Sequence, residues 1–197
     1  RKPITSGEGG ALLTNDQKIY NLCRVFKSHG MDKNTYDRSK SSPLNFESYL
    51  INGLNFKFTD IQASLLNAQI KRLKYFLEKR MIVKNTYDKF FKKYKNIVIY
   101  QKNISGGVSN NQSYMIVLKK DGLRNDLMNF LFKKKIETRK AITAIHKEKS
   151  FKNKFGKLKL KNSEFIAKNG IQLPIHANLS KKDSEKIIYF IERYFYL

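Results

Sequence analysis

Three histidines, His29, His146 and His176, and one cysteine, Cys23, are the only imidazoles and the only thiol in the chain. No HxxxH or CxxC spacing occurs, which argues against a zinc site or any other metal cluster. Cys23 falls on the apolar side of an expected helix and reads as a small buried hydrophobe; each histidine reads as a structural or surface residue. Amines remain. A lysine attacks a carbonyl only as the neutral amine, so a catalytic one must be desolvated or coupled to its target. Lys2 stands before the turn Ser6-Gly7-Glu8-Gly9-Gly10, and on the residues alone it reads as one solvated lysine among 32.

The formal charge of +24, from 40 Lys+Arg against 16 Asp+Glu, would ordinarily point to nucleic acid. Only eight of the 40 are Arg, and the lysines are spread along the chain, whereas base-edge and bidentate phosphate recognition favours clustered Arg. No nucleic-acid motif is present. With 41% hydrophobic and 13% aromatic residues the 197-residue chain is not a disordered tail, and a single Cys builds no disulfide scaffold. No apolar run approaches the ~20 residues of a membrane span. The chain opens Arg1-Lys2-Pro3 with neither an initiator Met nor an apolar leader, and it is expected to be a fragment.

The elements that must position these groups follow from spacing. Residues 11–14 are expected as a short buried strand and Asn15-Asp16 as a helix N-cap. Ile19, Leu22, Cys23 and Phe26 then predict a helix stopped at Ser28-His29-Gly30. Residues 31–52, with Pro43, read as a long loop of the kind that serves as a lid or binding segment. Thr59-Asp60 is a second N-cap, and the apolar spacing predicts one long helix over 60–93, kinked near Lys79-Arg80. Strands over 97–100 and 114–118, a turn at Gly106-Gly107, a helix over 122–134 and a strand around 136–138 begin an α+β module. A helix near 162–168, the segment 171–174 and a helix over 183–194 complete it.

The stretch Lys2-Pro3-Ile4-Thr5-Ser6-Gly7-Glu8-Gly9-Gly10 resembles the segment carrying the cofactor lysine in the DegT/DnrJ family of nucleotide-sugar aminotransferases. There a Lys precedes a Thr-Thr/Ser-Gly-Glu-Gly-Gly turn by the same spacing. The resemblance continues through Thr14-Asn15-Asp16, Ser28-His29-Gly30-Met31, residues 53–63 (Gly-Leu-Asn-Phe-Lys-Phe-Thr-Asp-Ile-Gln-Ala) and Gln69-Ile70-Lys71-Arg72-Leu73. It returns at Ile136-Glu137-Thr138-Arg139 and Leu173-Pro174, and is thin from about 140 to 162. It implies a fold-type-I, aspartate aminotransferase-like α/β protein. Residues 1–84 would be the C-terminal part of the large cofactor domain with its connecting helix, and 85–197 the small α+β domain.

By the same resemblance, Lys2 is the Schiff-base lysine of pyridoxal 5'-phosphate. Asn55 reaches the cofactor phosphate of the other subunit in a homodimer with shared active sites, and Lys57 stands where the family often has Arg. Arg139 and His146 match substrate-side positions. The family's aromatic and Pro residues between those two are here residues 140–145, Lys-Ala-Ile-Thr-Ala-Ile. The family's ring-stacking aromatic, pyridine-facing Asp and phosphate turn all lie upstream of its lysine and are absent from this sequence.

The implied function is amino transfer from an amino acid, commonly glutamate, to a nucleotide-linked keto-sugar, in the cytoplasm, in amino-sugar and surface-polysaccharide synthesis. A non-transaminating homologue, an inactive remnant and a basic nucleic-acid-binding module stand as alternatives. Dehydratase relatives replace the lysine with His, so Lys2 speaks against that branch.

Overall fold

The computed structural model describes residues 2–33, 46–103 and 105–197; residues 34–45 of the expected loop, Pro43 among them, lie outside these. Two compact units are present. One is Ile4–Lys71; the other is Arg72–Leu197, with Lys2 and Pro3 counted to it.

In the first unit, α1 (Gln17–Phe26) starts where Asp16 Oδ1 accepts from the N–H groups of Lys18 at 2.7 Å and Ile19 at 3.2 Å. It stops at two residues in the left-handed region, His29 (φ 61°) and Gly30 (φ 84°). The second helix, α2 (Asp60–Ile70), opens with a capping box in which Thr59 and Gln62 each satisfy the other's N–H. Cys23 is half-buried. The strand expected over 11–14 does not form, and Leu12 and Leu13 are 64% and 91% exposed. A strand needs a neighbour, and among the described residues of this unit there are only two isolated bridges, Ser28 with Asn55 and Met31 with Tyr49. Met31 is the one buried apolar side chain described between residues 4 and 71.

The second unit holds α3 (Leu73–Phe91), a 3-10 turn at Lys92–Tyr94, β1 (Val98–Tyr100) and β2 (Tyr114–Leu118). Then come α4 (Leu123–Lys133), β3 (Arg139–Lys140), a 3-10 turn at Ile145–Lys147, α5 (Lys149–Phe155) and α6 (Lys161–Asn169), followed by β4 (Gly170–Leu173) and α7 (Lys181–Phe195). The strands form one antiparallel sheet in the order β1-β2-β4-β3. Side chains alternate between the faces of a strand. Tyr114, Ile116 and Leu118 of β2 and Ile171 and Leu173 of β4 therefore enter one core. Val83, Tyr87 and Phe91 of α3, Leu127 and Leu131 of α4, and Ile187 and Ile191 of α7 close it. Each such burial is worth roughly 1.5–3 kcal/mol, so this unit carries its own stability.

Three expectations are corrected. The single helix over 60–93 is broken at Lys71 and Arg72 rather than kinked at Lys79-Arg80. The break coincides with the division between the units, and the Arg72 guanidinium lies over the rings of Tyr75 and Phe76. The strand expected at 136–138 begins at Arg139. Ile136 is still occupied in closing α4, its N–H donating to Leu131 O at 3.0 Å. Finally, α5 and its preceding 3-10 turn fall where the resemblance is thin and no element was expected.

Candidate active site

The turn that follows Lys2 is bonded first to itself. Thr5 Oγ1 accepts from Gly7 N–H at 3.1 Å, and Ser6 Oγ donates to Glu8 O at 3.0 Å. Gly7 has φ 82°, and a Cβ at Gly9 (φ 148°) would stand 2.8 Å from the Phe58 ring, so glycine is required at both positions. Two glutamines of α2 then fix this backbone. Gln69 accepts from Thr5 N–H at 2.9 Å and donates to Thr5 O at 2.5 Å, while Gln62 donates to Glu8 O at 2.9 Å. Lys2 itself is exposed.

Asn55 and Lys57 are placed by a chain crossing. Residues 48–56 run antiparallel to 26–32. His29 N–H donates to Leu54 O at 3.1 Å, Leu54 N–H to Phe26 O at 2.8 Å, and Phe56 N–H to Lys27 O at 2.9 Å. The strands of chain meet at Gly30 and Gly53. A Cβ on Gly30 would lie 1.8 Å from Ile51 O, and one on Gly53 would lie 2.1 Å from Gly30 N. Both Asn55 and Lys57 are exposed, and Asn55 Oδ1 makes a long 3.5 Å contact with Lys57 N–H, which turns the amide NH₂ to the outside. Lys57 lines a cavity of about 640 Å³ with Arg24, Lys27, Lys33 and Asp32. Four cations stand against one carboxylate here; Lys33 Nζ donates to Phe46 O at 3.1 Å and the Asp32 carboxylate accepts from Ser48 N–H, so the lining is cationic in balance.

In the second unit Arg139 lies on the edge strand opposite Gln172, whose Nε2 donates to Ala141 O at 2.8 Å and so ties β3 to β4. Arg139 lines a cavity of about 620 Å³ with Gln112, Lys135, Ile175, His176 and Lys186 among others. Its walls are held from behind. Arg80, 4% exposed, donates from one guanidinium nitrogen to the carbonyls of Asn111, Gln112 and Ile175 at 3.0, 3.1 and 3.2 Å. Tyr87, two helical turns on, donates to Pro174 O at 2.8 Å. Burial lowers the Arg80 pKa and raises that of Tyr87, without changing the charge state of either near neutrality.

His146 is elsewhere in that unit. It is 6% exposed, is not among the cavity's lining residues, and pairs through Nε2 with Glu164 Oε1 at 2.9 Å. The same carboxylate oxygen accepts from Leu160 N–H at 3.1 Å and stands 3.5 Å from Lys147 Nζ. The bond from His146, then those from Leu160 and Lys147, hold the Glu164 carboxyl below its usual range. The structure thus gathers Asn55 with Lys57 and sets Arg139 beside a cavity, but does not bring His146 to Arg139. Among the described residues no group of three or more His, Cys, Asp or Glu could hold a metal.

Roles for Gln62, Gln69, Arg80 and Tyr87 were not legible in residue types alone. The available signal was spacing: each pair is seven residues apart, which returns to one helix face after two turns.

The DegT/DnrJ/EryC1/StrS aminotransferase family matches residues 1–192. The UDP-4-amino-4,6-dideoxy-N-acetyl-beta-L-altrosamine transaminase of Helicobacter pylori is 27% identical over 196 residues, 98% of this chain and 50% of that protein. The protein of the same name from Campylobacter jejuni serotype O:2 is 27% identical over 191 residues, 93% of this chain and 47% of its own length. The chain therefore spans about half the length of the curated relatives it matches. Among solved structures, Helicobacter pylori PseC, an aminotransferase involved in the biosynthesis of pseudoaminic acid, superposes with a TM-score of 0.84 at 27% identity. It covers 98% of this chain and 50% of that one. The sugar aminotransferase CalS13 from Micromonospora echinospora gives 0.83 at 16% identity, covering 97% and 49%, and shows the shared fold.

Proposed function

The chain belongs to the DegT/DnrJ/EryC1/StrS aminotransferase family, and on that premise we propose that its residues serve a pyridoxal-phosphate-dependent amino transfer from an amino acid, glutamate first, to a keto-sugar carried on a nucleoside diphosphate. The observation that carries this reading is the family match running through Lys2 and the tied turn behind it. Residues 1–84 are assigned to the large domain with its connecting helix and 85–197 to the small one. As part of this proposal the reaction runs in the cytoplasm.

Bound pyridoxal phosphate supplies an electron sink that makes the donor's α-carbon proton acidic. Lys2 would supply the amine that holds the cofactor, and its Nζ, once free, would carry the donor's α-proton as general base and deliver it as general acid to the cofactor's aldehyde carbon. Asn55, through its amide NH₂, and Lys57, as a point charge, would hold the phosphate of the cofactor in the neighbouring subunit of a homodimer. The cationic basin around Lys57 fits such a group. Arg139, a planar fork beside the cavity of the second unit, would meet an anionic part of the substrate. For His146, the pairing with Glu164 supports a role through the turn it anchors rather than through direct contact with the sugar.

The test uses the product of the whole gene. Incubation with pyridoxal phosphate, borohydride reduction and peptide mapping should place the label on Lys2, and Lys2→Ala should remove it. The relatives' names supply a first substrate pair. With UDP-4-amino-4,6-dideoxy-N-acetyl-beta-L-altrosamine and 2-oxoglutarate, the reverse reaction should yield glutamate and the 4-keto sugar. A label on another lysine sinks the reading.

A further inference from the structure

We propose that Gln69, seconded by Gln62, is the positioning residue of the lysine turn, its side-chain amide meeting both backbone polar groups of Thr5. The proposal rests on Lys2 being the cofactor lysine.

Among the described residues no strand pairs with residues 4–10, and side-chain amides meet the backbone at Thr5 and Glu8. Gln69 meets both polar groups of Thr5 at once, accepting its N–H at 2.9 Å and donating to its carbonyl at 2.5 Å. This is the double exchange that an antiparallel partner residue makes in a hydrogen-bonded pair. Gln62, two turns earlier on the same face, donates Nε2 to Glu8 O while its Oε1 closes the Thr59 cap. One helix face therefore grips the turn at both ends. Only a primary amide of this length can accept and donate side by side: a carboxylate lacks the donor, leucine lacks both, and lysine lacks the acceptor. These bonds are exposed, so they add little to global stability, and their effect falls on where the turn sits. Thr5 is three residues from Lys2, at most about 11 Å of extended chain, so fixing Thr5 restricts the volume the Lys2 backbone can explore.

The experiment takes the whole gene product loaded with pyridoxal phosphate and compares wild type with Gln69→Leu and the near-isosteric Gln69→Glu. Three readouts apply: amide hydrogen exchange at Thr5 and Gly7, borohydride labelling of Lys2, and kcat and KM for the amino donor. Both variants should exchange faster at Thr5 with α2 protection unchanged. Both should lose about 10- to 100-fold in kcat, the cost of slight misplacement of a reacting group, with KM for the donor held within about twofold. Gln69→Glu should resemble Gln69→Leu, because its carboxylate faces the Thr5 carbonyl without a proton to give. Wild-type exchange and kcat in both variants overturn the proposal. Faster exchange with unchanged kcat overturns it too, since the turn would then not govern Lys2. A wild-type protein that takes no label on Lys2 overturns instead the functional reading, and the exchange rates alone then decide whether Gln69 holds the turn.

Discussion

His146 and Glu164 form a pair 2.9 Å apart in which the imidazole is buried and the carboxylate is shared with Lys147 and the Leu160 N–H. A side chain so occupied anchors the Ile145–Lys147 turn to α6. His146→Ala should lower unfolding stability by about 1–3 kcal/mol, as expected when a buried bonded group is lost. It should leave KM for the nucleotide sugar nearly unchanged. A large rise in KM without loss of stability would put His146 in contact with substrate.

The unit Arg72–Leu197 should weaken in acid. The Glu164 pKa is held down chiefly by His146, that of Asp121 chiefly by Lys168, and that of Asp183 chiefly by Ser180. A carboxyl with a lowered folded-state pKa contributes stability that is complete above its unfolded pKa and is lost as pH falls through the folded one. Denaturant midpoints measured downward from pH 6 should hold steady until the carboxylate range and then decline. The decline should be shallower in Glu164→Gln.

Gly53→Ala tests the chain crossing. Its Cβ would lie 2.1 Å from Gly30 N, so the two segments must part. The cost is at least about 1–3 kcal/mol, the usual range for forced overpacking. Amide exchange at His29, Leu54 and Phe56 should accelerate together, while Asn55→Ala, with its exposed side chain, should leave those amides protected.

The proposed sharing of active sites between subunits makes a mixing prediction. Homodimers of Lys2→Ala and of Asn55→Ala should each be impaired, and subunit exchange between them should regenerate some sites with both residues intact. Exchange verified by mass, with no recovery of turnover, would count against Asn55 serving a neighbour's cofactor.

Lys135→Gly should stabilise. Lys135 sits at φ 62°, just past α4, where its N–H donates to Phe132 O and the next N–H to Leu131 O. This closing motif favours glycine, and relieving the left-handed strain is worth about 1 kcal/mol. Thermal unfolding would register the gain as a higher midpoint.

Local chemistry was legible in the sequence and packing was not. Asp16 and Thr59 cap helices because a short oxygen-bearing side chain before an apolar period does so wherever it occurs. The sheet segments at 98–100 and 114–118 announced themselves by β-branched and aromatic runs. The break at Lys71 and Arg72 carries no Pro or Gly, so no residue type marked it. Residues 11–14 read as a strand by composition, but none of the described residues pairs with them. At the candidate site, Lys2, Asn55, Lys57 and Arg139 stood out through the family resemblance and not through residue type. The burial of His146 depended on Glu164, eighteen residues away, and the grip of Gln69 on Thr5 spans sixty-four.

The strand order β1-β2-β4-β3 also dictates a timetable for synthesis. As the chain leaves the ribosome, β1 and β2 can pair at once, but one edge of β2 stays open until β4, more than fifty residues later, has been made. β3 emerges earlier than β4 and has only β4 to bind, so Arg139 reaches its place only when the centre of the sheet is filled. Ile187 and Ile191 of α7 arrive later still. During that interval α3 and α4 cover the inner face of β2 only in part, and the unpaired edge of β2 is open to any extended segment nearby. A holdase chaperone should therefore bind nascent chains stopped between β2 and β4, and release them once α7 is complete.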